Sequence, residues 1–193
     1  SYEKTMAQIL AGGGSWIDAI EALPPNLQMM FVHAYQSLLF NEMLSLRMEQ
    51  DLPLNVPVEG DVIIPLDQDR NPQHENPIMV TSKNVDLVAR QVRAGRAFIT
   101  GALFGSESVS AEGIPGEIER KVIEAHKLSA EDFVIPGLPR CSSKGGRREI
   151  LCPVKDIKAE FGTDTYSLEF SLPKGNYATC LMREFMKSEM RDY

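Results

Sequence analysis

Phe31-Val32-His33-Ala34-Tyr35-Gln36-Ser37-Leu38-Leu39-Phe40-Asn41 is the centre of a longer stretch, residues 27 to 49, on which the reading of this chain turns. Leu27, Met30, Phe31, Ala34, Tyr35, Leu38, Leu39, Phe40, Met43, Leu44 and Met48 clothe it almost all round at helical spacing. A helix apolar on every side is expected at the middle of a domain, packed on several sides at once. The spacing therefore predicts a central helix over 27–49. His33, Gln36, Ser37 and Asn41 interrupt that surface within an arc of ~140° at ~100° per residue. A polar stripe on an apolar helix must be paired. The expectation is a buried hydrogen-bond network that fixes neighbouring loops, with His33 as a core histidine, set against direct contact with a ligand.

Upstream, Ala11-Gly12-Gly13-Gly14-Ser15 reads as a flexible joint, and Trp16 to Ile20 begins a short helix closed by Pro24-Pro25. Downstream, Asp51 to Pro57 is extended, and Val58 to Ile64 is a turn entering a strand. Arg70 to Asn76 is a surface loop, and Ile78-Met79-Val80 is a strand. A helix over Val85 to Ala94 and a strand over Phe98 to Leu103 make this middle section α+β. A second helix starts at Ile114-Pro115-Gly116 and ends near His126 or Lys127, followed by a short extended piece, Asp132 to Ile135.

Gly137 to Arg148 reads as a polar, basic loop. Glu149 to Phe161 and Thr165 to Leu172 read as antiparallel strands joined by Gly162-Thr163-Asp164, with Tyr166, Leu168, Phe170 and Leu172 alternating with polar residues. A terminal helix follows. Tyr177, Leu181 and Phe185 form one apolar row and Ala178, Met182 and Met186 another, so this helix should bury a wide face on the hairpin. Arg183 stands between the rows.

The chain has 193 residues, 43% hydrophobic and 24% charged, enough for one good-sized domain or two small ones. No apolar run approaches the roughly 18 residues of a membrane span. Cys141, Cys152 and Cys180 are odd in number and form no CxxC pair, as expected of reduced thiols in the cytoplasm. His33, His74 and His126 are isolated, so no metal site is expected. Ser143 to Arg148 lacks the spacing of a nucleotide-phosphate loop. A chain that opens Ser1-Tyr2-Glu3-Lys4 is expected to derive from a longer one.

The net charge of −7 is unevenly spread. Residues 1–60 set Lys4 and Arg47 against seven carboxylates, for −5, whereas residues 140–155 set Arg140, Lys144, Arg147, Arg148 and Lys155 against Glu149, for +4. A local patch of that sign can hold phosphates on an acidic body, and Gly145-Gly146 would let backbone amides approach them. The bland alternative is a solvated charged loop.

Several words stand in one order along the chain: His33-Ala34-Tyr35-Gln36-Ser37 with Phe40-Asn41, Gly60-Asp61, Ser110 through Glu119, Lys144-Gly145-Gly146-Arg147-Arg148, and Leu172-Pro173-Lys174-Gly175-Asn176-Tyr177-Ala178-Thr179 leading to Arg183-Glu184. Together they resemble the TruD family of tRNA pseudouridine synthases, in its archaeal and eukaryotic form. The resemblance implies an α+β fold: a mixed α/β TRUD-type insertion domain over 1–152, and over 153–193 a hairpin and helix that complete the catalytic domain. It also implies that the N-terminal catalytic half, with the nucleophilic aspartate and an Asn-Tyr-Phe-Gly-x-Gln-Arg-Phe-Gly segment, lies outside this chain.

The reaction so implied is cofactor-free isomerisation of a tRNA uridine, at position 13 in the D arm, with the nucleotide flipped from its stack. The implied partners are tRNA and the missing half. Arg140, Lys144, Arg147 and Arg148 would bind RNA, and Arg183 would support catalysis by pairing with the aspartate, since an arginine on a comparable helix does so in other pseudouridine synthases. Two alternatives stay open. A stand-alone RNA-binding module would hold tRNA without any second half, and a metabolic enzyme would show a pocket with perturbed titratable groups.

Overall fold

The structure is a computed structural model that describes residues 1–173 and 175–187. It divides into two compact units, Ser1–Ile150 and Leu151–Tyr193.

The first unit is built on α3, Pro25–Glu49. Two shorter helices precede it: α1, Tyr2–Ala11, to which the sequence reading assigns no element, and α2, Trp16–Glu21. Ser15 and Asp18 close a reciprocal capping box at the start of α2, which satisfies amides that the first turn leaves free. After α3 the chain forms β1 (Val62–Pro65), β2 (Ile78–Met79), α4 (Val85–Arg93), β3 (Ala97–Leu103), α5 (Gly113–Ala125) and β4 (Gly146–Glu149). The four strands make one antiparallel sheet in the order β2-β1-β3-β4.

Two hydrophobic clusters hold this unit. Leu39 and Met43 of α3 meet Ala102 of β3, Ile118 and Val122 of α5, and Phe133. Ile63, Val80, Val88, Ala97 and Ile99 form the second, between the sheet and α4. A buried fork ties α3 to β1: Arg47 donates to both carboxylate oxygens of Asp61, at 2.6 and 3.0 Å, and to the carbonyl of Pro53. The turn that delivers Asp61 needs Gly60, whose φ is +92° and whose missing Cβ would collide with the backbone of Glu112.

The central helix is where it was expected, but it is not packed all round. Gln36, Leu39, Phe40, Met43 and Arg47 are buried and fall within about 100° of arc. Met30, Phe31, Ala34 and Leu38 lie on the opposite side and are exposed. The helix has two apolar faces, of which this unit covers one.

The segment from Ala130 to Glu149 also departs from the sequence reading. Ala130–Phe133 and Pro139–Cys141 are 3₁₀ turns, not an extended piece and a plain loop. The end of the basic loop is strand β4, paired with β3 through Gly101↔Arg148 and Ala102↔Arg147. The expected strand from Glu149 to Phe161 is therefore broken: Glu149 ends β4, residues 150–154 are irregular, and only Lys155–Phe161 is a strand, in a different sheet.

The second unit holds the hairpin of β5 (Lys155–Phe161) and β6 (Tyr166–Ser171), followed by α6 (Ala178–Met186). These are the expected elements. Their expected burial is absent: no described residue from Leu151 onward is buried, Phe161 is 83% exposed and Tyr177 71%. A two-stranded hairpin and a nine-residue helix enclose too little volume to shield an apolar face.

Candidate nucleic-acid interface

Strand β4 sorts the adjacent arginines, because successive side chains on a strand point to opposite faces. Arg147 turns inward. It is 6% exposed, and its guanidinium donates to Glu119 Oε1 at 2.6 Å, the carbonyls of Val109 and Thr100, and Thr100 Oγ1. Glu119 is held in turn by the Ala111 amide. Arg147 is thus a buried structural cation, which corrects the expectation that it faces RNA: its guanidinium is out of reach of solvent and already paired with a carboxylate, with four of its five N–H donors engaged.

Arg148 turns outward. It is exposed, its guanidinium carbon lies 5.7 Å from the centre of the Phe40 ring, and it has no hydrogen-bond partner among the described residues. Cation–π contact of this kind holds a guanidinium in place while leaving its N–H groups available. Lys144 pairs with Glu107 at 3.1 Å, both well exposed. Such a pair is weak. Arg140 is exposed on the Pro139–Cys141 turn.

The polar stripe of α3 splits in a similar way. Gln36 is buried and donates to the Phe104 carbonyl at 2.8 Å and to Ser143 Oγ at 2.9 Å, so it pins the basic segment to the helix. His33 and Asn41 are exposed, and Ser37 is half-buried. His33 is not a core histidine. At ~100° per residue His33 lies about 60° round from Gln36 and Asn41 about 140°, so the stripe runs off the buried face. His33, Ser37 and Arg148 instead line a cleft of about 340 Å³ whose floor is Gln36, Ser143 and Gly145.

One constellation escaped the sequence reading. Tyr35 Oη lies 3.0 Å from His126 Nδ1, and His126 Nε2 lies 2.8 Å from Glu42 Oε2. A carboxylate beside Nε2 favours the proton there, leaving Nδ1 to accept from the tyrosine. These groups tie α3 to the end of α5 across 84 and 91 residues, a separation no local spacing reveals. Among the described residues no group of three histidine, cysteine or acidic side chains could hold a metal ion. No helix among them is long and apolar enough to cross a membrane.

Arg183 is exposed on α6, with Lys187 and Glu184 paired to each other beside it at 3.2 Å. Lys174 lies outside the described residues.

The family model described as tRNA pseudouridine synthase D (TruD) matches residues 1–185. The chain belongs to the TruD family. A Halobacterium salinarum protein described as "Probable tRNA pseudouridine synthase D" is 44% identical over 191 residues, covering 96% of this chain and 43% of its own length. A Methanococcoides burtonii protein of the same description is 39% identical over 195 residues, covering 97% and 44%. The crystal structure of the protein assigned as TruD from Methanosarcina mazei superposes with a TM-score of 0.89 at 40% identity, covering 97% of this chain and 45% of that one. Its likeness establishes the α+β fold. The chain spans less than half the length of these TruD relatives.

Proposed function

We propose that this chain is the part of a tRNA pseudouridine synthase that grips tRNA and completes the catalytic domain. The match to the TruD family across residues 1–185 carries this reading. In it the first unit is the insertion domain, and Arg148, Arg140 and Lys144 supply phosphate contacts that position the RNA without reading its bases. The exposed apolar residues of the second unit support a completing role, because Ile157, Phe161, Tyr177 and Phe185 are all left in water and call for a covering partner.

That partner is the catalytic half carrying the aspartate, toward which Arg183 presents a bidentate guanidinium. The reaction breaks the bond from the uracil nitrogen to the ribose and joins a ring carbon in its place, at uridine 13 of the D arm, without a cofactor. The setting is the cytoplasm.

The 193-residue chain alone is expected to retain unmodified tRNA on a filter and to leave its uridines unchanged when digested nucleosides are quantified by mass spectrometry. Pseudouridine formed by this chain alone would contradict the division of labour. Failure to retain tRNA would contradict the gripping role.

A further inference from the structure

We propose that the cleft between α3 and β4 is a phosphodiester subsite, in which His33, Ser37 and Arg148 together hold one backbone phosphate of the bound RNA. This deepens the gripping role above and rests on it.

The argument starts from which polar groups are already engaged. Gln36 gives both amide hydrogens to Phe104 and Ser143, and Ser143 Oγ also accepts from the Gly145 amide at 3.3 Å. Those groups build a rigid floor. Above it, the imidazole of His33, the hydroxyl of Ser37 and the guanidinium of Arg148 have no hydrogen-bond partner among the described residues. A cleft whose floor amides are engaged and whose rim presents free donors is prepared for an acceptor.

Charge selects the class of acceptor. The chain is net −7, yet no carboxylate lines this cleft, while an arginine does. Its ligand is therefore anionic, and a planar guanidinium beside an imidazole and a hydroxyl matches the oxygens of a phosphate.

Position is fixed from two sides. His33 and Ser37 stand four residues apart, one above the other on the same face of α3. Arg148 is held by its strand pairing opposite Gly101 and by the Phe40 ring. Gly145 lets the basic segment pack closely on the end of β3: its φ is +76°, and a Cβ there would collide with Ser108 Oγ and the Leu103 carbonyl. Lys144 and Arg140 lie outside this cleft lining and add diffuse attraction only.

The test is a double-mutant cycle on tRNA binding by the 193-residue chain, with inorganic phosphate as a second probe followed by NMR of the His33 ring. Arg148→Gln is expected to weaken tRNA binding about 10-fold and to reduce the salt slope by about 0.7 to 0.9. His33→Ala and Ser37→Ala are expected to cost about 3-fold to 5-fold each, with little change in slope. The losses from Arg148→Gln and His33→Ala should couple in the double variant, because both grip one group. All three side chains are at least partly exposed, so unchanged circular dichroism is expected and checks that each variant folds. Unaltered affinity in the variants, with wild-type binding intact, would overturn the subsite and leave the gripping role standing. Strictly additive losses would overturn the shared phosphate. Phosphate-dependent shifts at His33 without any tRNA binding would assign the cleft to free phosphate, and would overturn both the RNA subsite and the gripping role.

Discussion

The two units carry equally clear amphipathic patterns and use them in opposite ways. In the first, Leu39, Met43, Ile64, Ala102 and Ile118 are all but inaccessible to solvent. In the second, β6 alternates and α6 has two apolar rows, yet nothing described there is buried. A periodic pattern tells which face of an element is apolar; it does not tell whether the same unit supplies the cover. The first unit closes a core around one face of its central helix, and the second closes none.

The largest effect expected from this contrast is at the buried pair of Arg147 and Glu119. Removing one partner leaves a charge with no water and no counter-ion. Arg147→Ala or Glu119→Ala should cost about 3–5 kcal/mol in denaturant unfolding. Replacing both, Arg147→Met with Glu119→Leu, should recover most of that loss. If single and double variants unfold alike, the pair is not what holds β4 to α5.

Core truncation sharpens the same comparison. Leu39→Ala should destabilise the first unit by about 2–5 kcal/mol, through lost burial and the cavity left behind. Phe161→Ala removes a larger side chain from the second unit and should change stability by less than about 0.5 kcal/mol, because the ring is already in water. Comparable losses at both positions would erase the distinction between the units.

The adjacent arginines show how much of the site was legible. Composition marked residues 140–155 as basic, and that was enough to single the segment out as a candidate. It could not separate Arg147 from Arg148, because doing so requires knowing that Gly146–Glu149 is a strand; four residues rich in glycine and arginine carry no strand propensity, and only pairing with β3 makes them one. The polar stripe on α3 was legible as a stripe. Its division into buried Gln36 and exposed His33 depends on where β3 and the basic segment dock, which no helical wheel contains. The elements of the second unit were readable for a different reason, since their patterns are local and their lack of cover is not.

The smallest effect lies at α2. Backbone hydrogen bonding from Ser15, aided by its hydroxyl, holds the Asp18 carboxyl below its ordinary range. A depressed carboxylate contributes above its unfolded pKa, near 3.9, and the contribution is lost as pH falls through the folded value. Amide signals of α2 should therefore be constant from pH 7 to about 5 and weaken only below about 4. Loss of α2 near pH 6 would mean that another group controls its start.

Hydrogen exchange followed by mass spectrometry on the 193-residue chain tests the central contrast most directly. Peptides from β1, β3 and the buried turns of α3 should resist exchange until the unit unfolds as a whole, while peptides from β5, β6 and α6 should exchange orders of magnitude faster. Equal protection in both sets would show that the second unit is closed by contacts of its own, and would contradict the claim that it waits for a covering partner.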